Sequence, residues 1–250
     1  MKMINIKQLI IFIGLVLITL SGCANRNKIV TNSLDGCVHS EKGYNLAEEG
    51  KLEEAIKEYD LAIKYQPENP VNYYNKAIAL AGLNKWQEAI KEYDLAIKYQ
   101  PNNADAYNNK GIVLEKLGKW QDAIINYDLA IKHQPEIVSH SNKARVLIRL
   151  GKWQESIKEC DLAIKYNPDN AKLNAILYCA KGSILLLSHK LLEAITEFDK
   201  AIKYDPNYAS SYKLKDIALT ELDRQKAKIK EAFDKSELLR VGESLKTKNN

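Results

Sequence analysis

An all-α array of tandem helical hairpins is the fold this 250-residue sequence predicts, and two observations carry the prediction. The first is self-similarity. Glu54 to Pro67 reads EAIKEYDLAIKYQP, and Glu88 to Pro101 repeats the same fourteen residues 34 positions later. Diverged copies follow as DAIINYDLAIKHQP (Asp122 to Pro135), ESIKECDLAIKYNP (Glu155 to Pro168) and EAITEFDKAIKYDP (Glu193 to Pro206). A fixed period of this length marks one supersecondary unit stacked on its neighbours. The second is the spacing inside each copy: Ala89, Ile90, Tyr93, Ala96 and Ile97 fall on one stripe of a helix.

In chain order, residues 1–22 are not expected in the fold. Lys2 and Lys7 form a basic flank, and Leu9 to Leu20 an apolar run of twelve residues. A bilayer-spanning helix needs about 20. Leu20-Ser21-Gly22-Cys23 follows directly, and its small residues suit the cleavage site of a signal peptide. The tetrapeptide resembles a bacterial lipobox. That resemblance implies removal of residues 1–22, diacylglycerol on the Cys23 sulfur, and Cys23 as the new N-terminus; an ordinary signal peptide or an uncleaved anchor is the other reading. Acyl chains contribute about 0.8 kcal/mol per buried methylene, enough in combination to hold a protein on a membrane. Ala24 stands where enteric lipoproteins kept at the inner membrane typically carry Asp, which favours the outer membrane, facing the periplasm. Residues 24–35 are polar and aperiodic, so 23–35 reads as the lipidated cysteine and its tether.

Five units follow over 36–206, at about 36–69, 70–103, 104–136, 137–174 and 175–208. In the second, Tyr73, Ala77, Leu80 and Leu83 mark a first helix. Asn84, or Gly50, Gly118 and Gly151 in sister copies, supplies the left-handed residue that closes it. The second helix carries acid near its start and lysine near its end, matching the helix dipole, and proline stops it. Small residues recur on the first helix (Gly43, Ala77, Gly111, Ala144, Gly182) and on the second (Ala55, Ala89, Ala123, Ser156, Ala194). Tyr59, Tyr93, Tyr127 and Phe198 are expected to fill the gaps between neighbouring hairpins, with Trp86, Trp120 and Trp153 capping the same core. Proline spacing is 34, 34, 33 and then 38. The extra residues, within Asp169–Tyr178, predict a fifth first helix longer by about one turn. Cys160 replaces the aromatic of the fourth unit, and Asp216 the small residue of a sixth. Residues 207–250 are expected to form a degenerate sixth unit, a capping helix and a polar tail.

At these residues the chain resembles the tetratricopeptide repeat family, whose small–aromatic–Ala–Pro signature is met in five consecutive units. The resemblance implies a right-handed superhelical solenoid whose first helices line a concave ligand groove, and no enzymatic activity. On the family's register the groove residues are Tyr44, Tyr74, Asn75, Asn108, Asn109, Asn142, Arg145, Arg149 and Ser183. Asn75, Asn109 and Asn142 share one slot, where an amide bonds either an extended peptide or a neighbouring helix. Arg145 and Arg149 stand one turn apart and would grip a carboxylate or phosphate, or else form a solvated charged face. Some family members clamp a C-terminal carboxylate with Lys and Asn; Ser40 and Tyr44 depart from that pattern.

No phosphate loop, nucleophile elbow or His-Glu-x-x-His motif is present, so no catalytic residue and no cofactor is assigned. His39 and His140 take the slot of Tyr73 and Tyr107, which indicates packing. Cys37, Cys160 and Cys179 lack C-x-x-C spacing, and no metal site is expected. Cys160 and Cys179 belong to adjacent helices and read better as buried thiols than as a disulfide. Removing Lys2 and Lys7 leaves 35 basic against 32 acidic residues, too even a balance for nucleic acid. The expected function is a membrane-tethered protein–protein interaction scaffold of the bacterial envelope, holding an assembly or secretion component. An adaptor or regulator of an envelope hydrolase or peptidase is the alternative. Small-ligand binding is disfavoured, because an open groove buries little of a small molecule.

Overall fold

The computed structural model describes residues 34–135 and 137–248, and every regular element among them is helical. In order these are α1 (34–48), α2 (Leu52–Tyr65), α3 (Pro70–Gly82), α4 (Trp86–Tyr99), α5 (Ala104–Lys116), α6 (Trp120–His133), α7 (Ile137–Arg149), α8 (Trp153–Tyr166), α9 (Ala171–Leu187), α10 (Leu191–Tyr204) and α11 (Ala209–Lys248). The chain divides into two compact units, one up to His133 and one from Gln134. The first holds α1–α6 and the second α7–α11. Odd-numbered helices are the first helices of the repeats and even-numbered ones the second.

Each hairpin turn is built the same way. Gly50, Asn84, Gly118 and Gly151 have φ of 77°, 59°, 70° and 71°. His189 is a fifth member at 56°, one that the glycine-and-asparagine pattern does not reveal. The following lysine amide then reaches back into the first helix, as Lys51 N to Leu46 O and Lys85 N to Leu80 O, both 2.9 Å. These bonds satisfy carbonyls that the helix end leaves open. At the other edge Asn69, Asn103 and Asn170 cap first helices, accepting from Val71, Ala106 and Leu173 amides at 3.0–3.1 Å.

The core pairs a small residue with a ring. A Cβ on Gly43, Gly111 or Gly182 would lie 2.8, 2.6 or 2.5 Å from the ring of Tyr59, Tyr127 or Phe198. The ring therefore packs against the backbone of its own hairpin's first helix, rather than only between hairpins as the repeat pattern suggested. In the fourth repeat Cys160 and Ala144 share the site, and the Ser156 hydroxyl donates to the Ala144 carbonyl at 2.9 Å. A second set of aromatics stacks within each hairpin: His39 on Tyr65, Tyr73 on Tyr99, Tyr107 on His133, His140 on Tyr166 and Tyr178 on Tyr204, with centroids 5.3–5.6 Å apart. Both histidines thus occupy packing positions, and each also meets a carboxylate, Glu58 at 2.6 Å and Glu159 at 2.7 Å. Trp86 lies against the core, whereas Trp153 is 37% exposed and caps less than its position implied.

Within each unit a lysine ladder joins neighbouring repeats. Lys42, Lys76, Lys110, Lys143, Lys181 and Lys215 hold one slot of the first helices. Lys76 bridges Asp60 of the preceding repeat (2.8 Å) and Glu92 of its own (2.7 Å). Lys181 does the same with Asp161 (2.6 Å) and Glu197 (3.0 Å). Lys110 and Lys215 reach back to Asp94 and Asp199, each at 2.6 Å. Burial alone would lower the Lys76 and Lys181 pKa values; the flanking carboxylates outweigh it, and both ammonium groups are held above their usual range.

Three departures from a uniform array stand out. Helix α9 has 17 residues where α3, α5 and α7 have 13, the added turn that the proline spacing predicted. Helix α1 begins at Leu34, inside the segment read as tether. Helix α11 is a single helix of 40 residues; it packs on α10 and α9 and continues through the region where a turn, a cap and a tail were expected. After Pro206 the sequence holds no further proline to stop it.

Candidate functional site

The first helices of the first unit present one face that the core does not use, and Tyr44, Tyr74, Asn75 and Asn109 of the groove residues named from the sequence lie on it. Tyr44 on α1 is exposed, Tyr74 and Asn75 on α3 are half-buried, and Ile78, one turn further along α3, is exposed. On α5, Asn109 and Ile112 are half-buried, Lys116 is exposed and Asn108 is buried.

Of the slot-sharing asparagines, Asn109 is engaged with a neighbouring helix. Asn109 Nδ2 donates to the Tyr74 hydroxyl at 2.9 Å, tying α5 to α3, and Asn109 Oδ1 accepts from Asn108 at 3.3 Å. The Tyr74 ring meets the Tyr93 ring edge-on, with centroids 6.1 Å apart. Burial pushes the Tyr74 hydroxyl pKa up, Asp105 adds to this, and the Asn109 bond opposes it. That phenol therefore stays protonated at neutral pH.

Between α3 and α5 a cavity of about 320 Å³ opens, walled by Ile78, Ala81, Ile112 and Val113, with Trp86 and Tyr93 behind and Lys116 at the rim. Its Tyr93 floor differs from the same slot of the third repeat. In the third repeat the equivalent Tyr127 hydroxyl donates to Glu115 Oε1 at 2.7 Å. In the second repeat Ala81 stands where Glu115 would be, 34 residues earlier. Tyr93, 2% exposed, consequently has no hydrogen-bond partner for its hydroxyl among the described residues. Burial raises its pKa, so the group remains a donor at the bottom of an apolar pocket.

Between α1 and α3 a second cavity, about 360 Å³, is lined by Cys37, Ser40, Glu41, Tyr44, Gln66, Asn69 and Asn75. Asn75 and Ile78, three residues apart on α3, place the two cavities side by side on one face.

In the second unit, Asn142 Oδ1 accepts from Arg145 Nη2 at 3.0 Å along α7. Arg145 and Arg149 are exposed on α7. The Ser183 hydroxyl donates to the Cys179 carbonyl at 2.8 Å, and Cys179 is buried. A cavity of about 330 Å³ between α9 and α11 is lined by Leu186, Ile217 and Thr220, beside the Arg224–Glu221 pair at 3.0 Å. Cys37, Cys160 and Cys179 are free thiols, the last two buried. Among the described residues no His, Cys, Asp and Glu cluster could hold a metal, and no helix is long and apolar enough to cross a membrane. Cys23 lies outside the described residues.

Comparison with known proteins gives consistent findings. Tetratricopeptide repeat models match residues 38–69 and 175–208 and residues 104–137, and a TPR repeat model matches residues 79–118. Most of the fourth repeat, with Cys160 in the ring slot, lies outside these matches. Among solved structures, YrrB, described as a TPR protein with an unusual peptide-binding site, aligns at 19% identity over 71% of this chain and 90% of its own, with a TM-score of 0.60. MamA (41 to the end) from Desulfovibrio magneticus RS-1 aligns at 19% identity over 70% and 97%, TM-score 0.62. PilF of Pseudomonas aeruginosa aligns at 14% identity over 78% and 88%, TM-score 0.64. At these identities the likeness is one of fold. Comparison with curated protein sequences finds no match.

Proposed function

We propose that this chain, an array of tetratricopeptide repeats, is a protein–protein interaction scaffold of a bacterial envelope. In this reading it is tethered by lipid on Cys23 and holds a partner segment against the first-helix face of its first unit. The observation that carries the binding half is the apolar cavity between α3 and α5, with Ile78 43% exposed at its edge. An apolar recess with a few placed polar groups is what a partner side chain needs in order to leave water. In the third repeat the aromatic slot is closed by the chain itself, through the Tyr127–Glu115 bond.

The tethering half rests on the Lys2 and Lys7 flank, the short apolar run and the Leu20-Ser21-Gly22-Cys23 tetrapeptide. It gives the scaffold a place, an outer membrane surface facing the periplasm, and it fits partners that assemble or secrete there.

Two substitutions test the halves separately. Cys23→Ala is expected to move the protein from the membrane to the soluble fraction and to abolish incorporation of labelled fatty acid. Retention with label would refute lipidation at Cys23. Ile78→Glu is expected to abolish co-purification of the partner without changing the melting curve. Unchanged co-purification would place the binding surface elsewhere.

A further inference from the structure

Resting on the groove reading above, we propose that the first unit selects an extended segment carrying an aliphatic and a basic side chain three residues apart. The aliphatic one enters the α3–α5 cavity, and the basic one lies against Glu41 in the α1–α3 cavity.

Four features lead to this pairing. The α3–α5 recess is walled by Ile78, Ala81, Ile112 and Val113, which suits a branched aliphatic group and would leave a charge unpaired. At its floor the Tyr93 hydroxyl lacks a partner among the described residues, so a main-chain carbonyl beside the inserted side chain gives it an acceptor. The neighbouring cavity is lined by one carboxylate, Glu41, and by no basic side chain. Glu41 is exposed and makes no ion pair among the described residues, and the adjacent Lys42 pairs with Glu58 at 2.7 Å. An acid left open in a groove is complementary to a lysine or arginine of the partner.

Geometry sets the spacing. Packed helices lie about 8–10 Å apart, and α3 separates the two cavities. A segment in polyproline II conformation advances about 3.1 Å per residue with three residues per turn. Side chains i and i+3 then face the same way about 9 Å apart. A β-strand would put them on opposite faces.

The test uses nine-residue peptides with one Leu and one Arg at separations of one to five, in both orders, in a Ser/Pro background. Binding to the purified protein is read by fluorescence anisotropy, and each variant's fold by its circular dichroism melt. Separation three is expected to bind best, with Arg→Glu in the peptide weakening it about five- to tenfold. Glu41→Lys should reverse that charge preference, and Tyr93→Phe should weaken binding of every peptide while leaving the melt in place. If Ile78→Glu abolishes binding but Glu41→Lys leaves the charge preference unchanged, or separation has no effect, the selectivity is refuted and the groove reading stands. If no peptide binds, or binding survives Ile78→Glu in a folded protein, the groove reading falls and the selectivity falls with it.

Discussion

Replacing Tyr127 and Tyr93 by Phe, one at a time, separates two roles that a single repeat slot plays. Both residues sit in the first unit, on the second helix of their hairpin, and are 0% and 2% exposed. Tyr127→Phe removes the donor to Glu115, itself 7% exposed, and leaves a carboxyl oxygen with one partner fewer in the interior. Hydrogen bonds to acidic groups are worth about 1.5–3 kcal/mol, and stranding the buried acceptor adds to the loss. Glu115 keeps another interaction, so the lower part of that range, about 1.5–2 kcal/mol, is expected. Tyr93→Phe removes a hydroxyl without a partner and should change stability by no more than about 0.5 kcal/mol. In urea, with a slope of about 1–3 kcal/mol per molar, Tyr127→Phe should lower the midpoint by roughly 1 M while Tyr93→Phe leaves it almost unmoved. Far-ultraviolet circular dichroism at 222 nm provides the readout. Because both sites lie in one compact unit, separate unfolding of the two units affects them equally. Equal losses for the two variants, or a larger loss for Tyr93→Phe, would refute the assignment of Tyr93 as open and Tyr127 as closed.

Other perturbations test the remaining structure. Gly118→Ala forces a side chain to φ +70° with no neighbour to clash, so it should cost about 1 kcal/mol from backbone strain alone; Gly118→Asn, matching Asn84, should cost less, and equal losses would contradict the turn description. Burial alone would raise the Glu159 pKa, but bonds from His140 and Lys143 outweigh it and hold the carboxyl below its usual range. A carboxylate depressed on folding adds stability above its unfolded pKa of about 4.3, and that stability is lost as pH falls through the folded value. Glu159→Gln should therefore flatten the acid limb of the stability curve below about pH 4.5, and an unchanged limb would refute this. Cys160, pushed up to about 12 by burial, and Cys179, raised by burial, should resist alkylation at pH 8 until the protein unfolds; exposed Cys37 should react in the native state. Modification of Cys160 at the Cys37 rate would show that the fourth hairpin opens.

What was legible in the sequence follows from where period and packing coincide. The second helices are near copies because four of the five present Ala, Ala and an aromatic to the same small-residue slot, and those positions recur at a spacing close to 34 residues. The long α9 was readable because proline fixes where the preceding helix ends. The lysine ladder was not. Its lysines keep the same spacing, but their acids lie 16 residues away or one repeat back, beyond the reach of helical periodicity and hidden in a charge-rich composition. His189 escaped because glycine and asparagine, not histidine, are the usual signal of a left-handed turn. At the candidate site, the register placed Tyr44, Tyr74, Asn75 and Asn109 on the first helices. It did not show that Asn109 is spent on Tyr74. The Ala81-for-Glu115 difference is present in the sequence, yet it acquires meaning only through the ring beneath it, which reaches that position in the third repeat.

The most direct test of the scaffold reading places a photo-crosslinking amino acid at Ile78, beside the α3–α5 cavity. A control is placed at Ile125, 54% exposed on the second helix α6. After irradiation of intact cells, a discrete covalent adduct from position 78 and none from 125 is the predicted result. Adducts from 125 alone, or from neither position in a folded and expressed protein, would contradict it.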